Sequence, residues 1–178
     1  MRAAAIIVMG VSGSGKSTIG ALLAEALGWP FADADGFHPA ANVAKMASGQ
    51  PLTDEDRWPW LDAIAAHIEA ARAAGQPVVV ACSALRRVYR DRLRAGHKDV
   101  IFLHLAGEAG LIGERQAARQ GHFMPPSLMA SQFATLEDPT AEADAVTVSV
   151  LASPAQVAAA ALSQLIAAGA VAPPKAGP

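Results

Sequence analysis

A nine-residue stretch between an apolar run and a helical pattern constrains the fold of this chain more than any other feature. Residues 10–18 read G-V-S-G-S-G-K-S-T, which fills every fixed position of the phosphate-binding pattern G-x-x-x-x-G-K-[ST]. The apolar run before it, residues 3–9, is typical of a buried parallel strand. Apolar residues at helical spacing follow at 19–27, and Gly28 is placed to end that helix. A strand, a glycine-rich turn and a helix N-terminus direct successive backbone N–H groups at one point, so the stretch predicts a phosphate site.

The same pattern assigns roles to side chains. Lys16 is expected to reach the outer phosphates of a nucleotide, and the hydroxyl of Ser17 is expected to bind Mg²⁺. We therefore expect ATP and Mg²⁺ as cofactors. The residues of this stretch that are expected to bind the nucleotide are Gly10, Ser12, Gly13, Ser14, Gly15, Lys16, Ser17 and Thr18.

Composition and charge narrow the class of protein. A chain of 178 residues is most simply one domain, and its formal net charge of −2 gives no reason to expect nucleic acid as a partner. The single cysteine, Cys82, excludes an internal disulfide framework and suits a reducing compartment. No apolar run approaches the ~20 residues that cross a bilayer. The apolar N-terminus runs directly into the phosphate loop without a cleavage site, so we expect no signal peptide and a cytoplasmic protein.

Short apolar runs alternate with amphipathic stretches along the chain, which is typical of a doubly wound parallel sheet. Strands are expected at residues 3–9, 31–35, 78–82, 100–105 and 145–150. Helices are expected at residues 19–27, 83–94, 108–119 and 127–136, with two more that begin after Thr53 and Ser153. The predicted fold class is α/β, a P-loop NTPase with a five-stranded parallel sheet flanked by helices. Residues 1–172 are expected to form one domain, and residues 173–178 a frayed tail.

Two aspartates end the second predicted strand. Phosphate-loop proteins often take a second magnesium contact from an acid, and the strand at residues 78–82 ends without one, so Asp33 or Asp35 must serve. On an extended strand their carboxylates would share one face about 6–7 Å apart, so one could hold the magnesium shell while the other faces a second substrate. Because Asp35 lies nearer the polar segment that follows, we assign Asp33 to Mg²⁺ and Asp35 to the substrate hydroxyl.

Basic residues follow in two groups. The first comprises Arg86, Arg87, Arg90, Arg92 and Arg94. Most of these are expected on a solvated helix face, with Arg86 turned inward. Arg115 and Arg119 lie four residues apart, just before the Gly/Pro-interrupted loop Gln120–Pro126. Such a helix-loop-helix can close over a nucleotide, so we expect a mobile lid at about residues 115–127 whose guanidinium groups reach the transferred phosphoryl group.

Polar loops supply candidate ligands for a second substrate. The segment after the second strand holds His38, Asn42 and Lys45, with Arg57 close by, and His122 lies in the predicted lid. His67 and His104 are expected to be structural, since they fall on a helix and in a strand. Cys82 fits a small buried residue better than a nucleophile, because no base partner is evident beside it.

Longer motifs resemble a known family. Residues 38–61 read H-P-A-A-N-V-A-K-M-A-S-G-Q-P-L-T-D-E-D-R-W-P-W-L, and residues 82–94 read C-S-A-L-R-R-V-Y-R-D-R-L-R. G-H-F-M at 121–124 is followed by Q-F-A-T-L-E at 132–137. With the phosphate loop, these motifs resemble bacterial gluconokinases of the small phosphate-loop type. The resemblance runs to about Asp138 and more loosely beyond. Arg86 stands where many relatives have lysine, a difference that keeps the charge but changes the donor geometry.

The resemblance implies a fold like that of nucleoside monophosphate kinases, related to shikimate kinase, with a substrate-binding helical segment at about residues 36–75. It implies transfer of the γ-phosphate of ATP to the 6-hydroxyl of D-gluconate, and a homodimer is a family expectation. The catalytic residues are then Lys16, Asp35 and Arg119, and ATP would also contact Arg115. The residues expected to bind gluconate are Asp35, His38, Asn42, Lys45, Arg57, Arg86 and His122.

Two alternative functions stay open on sequence grounds. A kinase for another small hydroxylated acid, shikimate-like, would need the same loop and a similar polar segment. A nucleotide-dependent switch or regulatory ATPase is a different class. The sequence holds no N-K-x-D motif for reading guanine, and the segment after Asp35 is richer in polar groups than a bare switch loop needs.

Overall fold

Five parallel strands form the central sheet of this protein. The computed structural model describes residues 2–107 and 126–174. The strands are β1 Ala5–Met9, β2 Phe31–Asp33, β3 Val78–Ala81, β4 Val100–Ala106 and β5 Ala145–Ser149, in the order β2-β3-β1-β4-β5. The predicted five-stranded parallel sheet is confirmed, with strand ends that differ from prediction by one or two residues.

Helices flank the sheet on both faces. They are α1 Lys16–Leu27, α2 Ala40–Ala47, α3 Asp54–Ala73, α4 Arg87–Arg94, α5 Pro126–Thr135 and α6 Pro154–Ala167, with one 3₁₀ turn at Ala34–Phe37. The predicted caps are confirmed, since Thr53 and Ser153 each form a capping box at the start of α3 and α6. No helix within residues 2–107 and 126–174 is both long and apolar enough to cross a membrane.

The core lies in two layers because successive residues of a buried strand point to opposite faces. Ile6 and Val8 of β1 pack on one face with α1 and α6. Ile7 and Met9 pack on the other face with α3 and α4. Both faces of β1 are therefore covered, which explains why its five residues read as one apolar run rather than an alternating pattern.

The sheet order gathers the functional segments at one edge. β1 lies between β3 and β4, so the phosphate loop that follows it emerges at the middle of the carboxyl ends of the strands. The loop is joined to the end of β3, where the Gly10 N–H donates to the carbonyl of Ser83 at 3.3 Å. Loops that follow parallel strands thus meet around one crevice.

Local structure departs from the prediction at three places. β2 ends at Asp33, and α4 begins only at Arg87 rather than at Ser83. Ala84, in the connection before α4, adopts a left-handed conformation (φ 45°), which a helix does not allow. Helix α2 lies in the helical segment predicted at about residues 36–75, although its own bounds were not predicted. The predicted helix at 108–119, most of the predicted lid and the end of the tail lie outside the described residues.

Candidate active site

Glycines shape the phosphate loop. Gly10 has φ 153°, and a Cβ atom there would lie 2.8 Å from Ser14 Oγ and 3.1 Å from the carbonyl of Leu105. Gly15, the cap residue before α1, has φ 95°, a left-handed conformation that side-chain-bearing residues adopt at a cost. The tight turn therefore depends on glycine at both fixed positions, and it leads straight into the N-terminus of α1, where anions bind.

Two loop side chains lie where the pattern predicts functional groups. The Lys16 ammonium donates to the carbonyl of Val11 at 3.0 Å, so it reaches back along the loop. The hydroxyl of Ser17 donates to Oδ2 of Asp33 at 2.6 Å, and Asp33 is the last residue of β2. A hydroxyl and a carboxylate oxygen in contact are the kind of donor set that Mg²⁺ prefers, so Ser17 and Asp33 fit a magnesium site.

Asp35 is placed differently from the prediction. It lies in the 3₁₀ turn Ala34–Phe37, and its backbone N–H donates to Oδ1 of Asp33 at 3.0 Å. The two carboxylates therefore do not share the face of one extended strand, and that geometric expectation was wrong. The cause is local, because Asp33 caps the turn with its own side chain and ends the strand there.

A recess opens on the outer side of the phosphate loop. Its volume is about 420 Å³. Gly13, Gly15 and Thr18 line one wall, and the β5–α6 connection with the first residue of α6, residues 150–154, lines the other. Leu151 in that connection is 74% exposed. Sequence reasoning missed this connection as part of a binding site. Its position directly after the last predicted strand, at the carboxyl end of the sheet, could have indicated it.

The polar segment after β2 is organised around Asp56. Lys45 forms an ion pair with Oδ2 of Asp56 at 2.6 Å, and Asn42 donates to the carbonyl of Asp56 at 2.8 Å. The hydrogen bond from Lys45, with bonds from Thr53 at the start of α3, lowers the pKa of Asp56 to about 2. Helix α2 is thus fastened to the N-terminus of α3 by two residues that were predicted as substrate ligands.

The imidazole of His38 lies between the ring of Trp60 and the amide of Asn42. The imidazole stacks on Trp60 with ring centroids 4.3 Å apart, and Nδ1 lies 3.2 Å from the Asn42 amide nitrogen. Since an amide NH₂ can only donate, Nδ1 accepts and the ring proton is carried on Nε2. Burial lowers the pKa of His38, which favours the neutral ring.

A second polar cluster, which we call the Asp54 cluster, joins the start of α3 to the start of α4 through Asp54, Arg57, Arg86 and Tyr89. Asp54 accepts from the Tyr89 hydroxyl at 2.5 Å and from Arg86 Nη1 at 2.7 Å. Arg57 lies 3.6 Å from Asp54, and both guanidinium groups stand over the Tyr89 ring, about 5.4 and 5.5 Å from its centroid. The Tyr89 bond, followed by the arginines, lowers the pKa of Asp54.

Sequence reasoning found Arg57 and Arg86 but missed Asp54 and Tyr89. Arg86 also bonds Glu137 through Nε at 3.3 Å, and it is only half-buried. Asp54 and Arg57 lie three residues apart on one helix, a spacing that predicts an ion pair. Nothing near Tyr89 in the sequence indicates that its hydroxyl bonds Asp54.

Arg90 corrects the prediction of a solvated arginine face. Its side chain is 0% exposed and contacts Glu142 twice, at 2.6 and 3.0 Å. It also donates to the carbonyls of Ala84, Leu85 and Glu137. Arg87 and Arg92 are exposed as expected. Arg115, Arg119 and His122 lie outside the described residues, as does most of the predicted lid.

Three residues expected to be structural, Cys82, His104 and His67, behave as expected from sequence. Cys82 is a free, buried thiol whose pKa burial raises to about 12, which does not suit a nucleophile. His104 is buried in β4 and His67 contacts Phe37 edge-on, so both sit in packed surroundings. The described residues contain no group of three or more His, Cys, Asp and Glu side chains that could hold a metal ion by themselves.

Comparison with known proteins defines the class. The family model described as shikimate kinase matches residues 12–164. Together with the phosphate loop and parallel sheet, the match makes this protein an ATP-dependent small-molecule kinase of the phosphate-loop class.

More similar proteins narrow the family. A probable gluconokinase of Rattus norvegicus is 46% identical over 178 residues, covering 90% of this chain and 96% of the relative. A gluconokinase of Gluconobacter oxydans is 48% identical over 134 residues, covering 75% of each. The crystal structure of a gluconokinase from Sinorhizobium meliloti superimposes with a TM-score of 0.84 at 48% identity, covering 92% of this chain and 91% of that one. The chain belongs to the gluconokinase family.

Proposed function

We propose that this kinase transfers the γ-phosphate of ATP to the 6-hydroxyl of D-gluconate. The observation that carries the proposal is the placement of two kinds of group at one edge of the sheet. The Ser17–Asp33 pair lies beside the phosphate loop, and a polar segment with His38 and Arg57 follows directly from β2. The names of the relatives, which are gluconokinases, supply the acceptor.

The nucleotide has a complementary surface. The recess between the phosphate loop and residues 150–154 suits the base and ribose of ATP, and the loop N–H groups and Lys16 suit its phosphates. Ser17 and Asp33 would hold Mg²⁺, which neutralises phosphate charge when bound. Arg115 and Arg119, from the predicted lid, would approach the outer phosphates.

The sugar acid needs cations for its carboxylate and donors for its hydroxyls. Arg57 and Arg86 supply fixed positive charge, and His38 offers the proton on Nε2. Asn42 and Lys45 hold α2 in place beside them, and His122 would contribute from the predicted lid. Asp35 orients the attacking hydroxyl and can accept its proton, while Lys16 and Arg119 stabilise charge on the transferred group.

Three broader assignments belong to the same proposal. Residues 1–172 form one kinase domain in which residues 36–75 bind substrate and residues 115–127 form the lid. The chain acts in the cytoplasm and pairs as a homodimer. Size-exclusion chromatography with light scattering tests the oligomeric state directly.

The substrate is tested by incubating the protein with ATP, Mg²⁺ and a panel of acids that includes D-gluconate, other sugar acids and shikimate. Phosphorylated product is identified by mass spectrometry and its position by NMR. We expect product from gluconate, with phosphate on the 6-hydroxyl. Faster turnover of another acid would contradict the proposed acceptor, and ATP hydrolysis unaffected by every acid would favour a regulatory ATPase.

A further inference from the structure

One hydrogen bond crosses from the phosphate loop to helix α5. The backbone N–H of Ser12 donates to Oε1 of Gln132 at 2.6 Å, and the two residues are 120 positions apart in the chain. Gln132 belongs to α5, which begins at Pro126. The motif that describes phosphate loops specifies glycines, lysine and a hydroxyl, and no residue of it accounts for this bond.

Apart from the bond from Gly10 N–H to the carbonyl of Ser83, the other hydrogen bonds described for the loop backbone are made close by. Within the loop, Ser14 N–H donates to the carbonyl of Val11 at 3.2 Å, and Lys16 donates to the same carbonyl. Among the described residues, Gln132 is the only side chain from outside the loop that accepts from a backbone N–H of residues 11–15. It therefore holds the middle of a loop whose flanking glycines permit many conformations.

Gln132 is itself held in place by the anchoring of α5. Phe133 packs against the core layer that contains α1, and Leu136 packs against both layers. After the helix, Glu137 N–H donates to the carbonyl of Leu85 at 2.7 Å, and the Glu137 carbonyl accepts from the buried Arg90 at 2.9 Å. A fixed helix can hold a loop atom in place, whereas a side chain on a loose segment could not.

The chemical nature of glutamine suits the position. Its amide oxygen accepts a hydrogen bond without bringing a negative charge to a loop that must bind phosphates. A glutamate could accept the same bond, but its carboxylate would repel the nucleotide. A methionine has a similar length and cannot accept from the N–H with comparable strength.

We propose that Gln132 is a positioning residue that preorganises the phosphate loop for the nucleotide by fixing the Ser12 amide. It acts through the shape of the loop, and nucleotide binding should therefore depend on it more than folding does. When the loop is preorganised, no free energy is spent on ordering it as the nucleotide binds. Loss of the hydrogen bond from Ser12 to Gln132 should therefore weaken nucleotide binding.

The first test compares Gln132→Met with the wild-type protein. We expect the Kd for a non-hydrolysable ATP analogue to rise about tenfold, the size expected for one lost hydrogen bond. Amide hydrogen exchange at Ser12 should become faster, the KM for ATP should rise, and the KM for gluconate should stay unchanged. Analogue binding needs no sugar acid, so this result is independent of whether gluconate is the acceptor.

Two further variants complete the test. Gln164→Met makes the same change at an exposed position of α6 and should leave analogue binding unchanged. Gln132→Glu should keep the Ser12 amide protected yet weaken analogue binding, with a loss that shrinks as salt concentration rises. If Gln132→Met does not fold, Gln132→Asn, whose amide is one methylene too short, replaces it.

Wild-type affinity in Gln132→Met would overturn the proposal, and so would an equal loss in Gln164→Met. Unprotected Ser12 exchange in Gln132→Glu would also overturn it, because the carboxylate retains the acceptor.

Discussion

The phosphate loop and the arginine side of the molecule are built in different ways. The glycine and lysine of the loop motif contact neighbours in sequence, such as Gly10 against Ser14 and Lys16 against Val11. Contacts with distant residues, Ser83 and Gln132, are added by the fold. The other region, which we call the arginine network, consists of Arg90, Arg94, Glu142 and Asp144. Its ion pairs join residues about 50 positions apart. The phosphate loop can therefore be predicted from a local sequence motif, whereas the arginine network is seen only in the folded chain.

Burial separates the two regions further. Burial alone would raise the pKa of Glu142, but the hydrogen bonds from Arg90 and Arg94 outweigh it, so the pKa is lowered. The carboxylate is therefore charged and paired inside the protein, where removing one partner is costly. The loop, by contrast, presents its donors toward an open crevice where a ligand can meet them.

The largest expected effect falls on the loop. Lys16→Ala should lower turnover about 10³-fold or more, because it removes a cation from the developing phosphoryl charge. The temperature of unfolding should barely change. Kinase assays and thermal unfolding check this, with Lys98→Ala as the exposed control. A Lys16→Ala protein with most of its turnover would show that residues 10–17 are not the nucleotide site.

Next in size is the effect of breaking the arginine network. Arg90→Met should lower the free energy of unfolding by about 3–5 kcal/mol, since it strands buried carbonyls and weakens the pairing of Glu142. Arg92→Met removes an exposed pair with Asp62 and should cost about 1 kcal/mol or less. Urea unfolding measures both. Equal losses in the two variants would mean that burial does not distinguish these arginines.

A smaller effect should separate the two aspartates beside the loop. Asp35→Asn should lower turnover roughly 10²-fold, because the acceptor for the hydroxyl proton is lost, while Mg²⁺ dependence stays normal. Asp33→Asn should instead raise the Mg²⁺ concentration needed for activity, since Asp33 contacts Ser17. Titrations of Mg²⁺ and gluconate with both variants decide the assignment, and exchanged phenotypes would reverse it.

The smallest effect is a pH dependence of stability that His104 contributes. Burial, more than nearby Arg90, lowers the pKa of His104 against the opposing pull of Asp138. The folded protein then binds fewer protons than the unfolded chain, so its stability should fall as pH drops below about 6.5, the ordinary histidine value. Unfolding free energies at pH 7, 6 and 5 should show this fall.

His104→Leu should flatten that fall in stability, because it removes the buried imidazole. An unchanged slope in His104→Leu would contradict the prediction. Burial also lowers the pKa of His38, so His38 should contribute to the slope that remains.

Most of the fold could be predicted because its causes are local. Continuous apolar runs predict buried strands, and the caps Thr53 and Ser153 predict helix starts, since each cause lies within a few residues of its effect. The closeness of Ser17 and Asp33 was also predictable, because carboxyl ends of parallel strands meet at one edge.

Side-chain partners brought together by the fold could not be predicted. Arg90 reads like its exposed neighbour Arg92, and only the packing of α4 against the chain after α5 decides that one is buried and the other is not. The same is true of Gln132 and Ser12, whose contact depends on where α5 docks.

The amino-acid sequence by itself determined the parallel sheet, the phosphate loop and the family, because backbone conformation and hydrophobic periodicity are local properties. Tertiary structure alone decided which charges are paired and which polar groups remain to meet a substrate. The physical reason is that ion pairs and side-chain hydrogen bonds need atoms within about 3 Å, a distance set by packing between elements far apart in the chain.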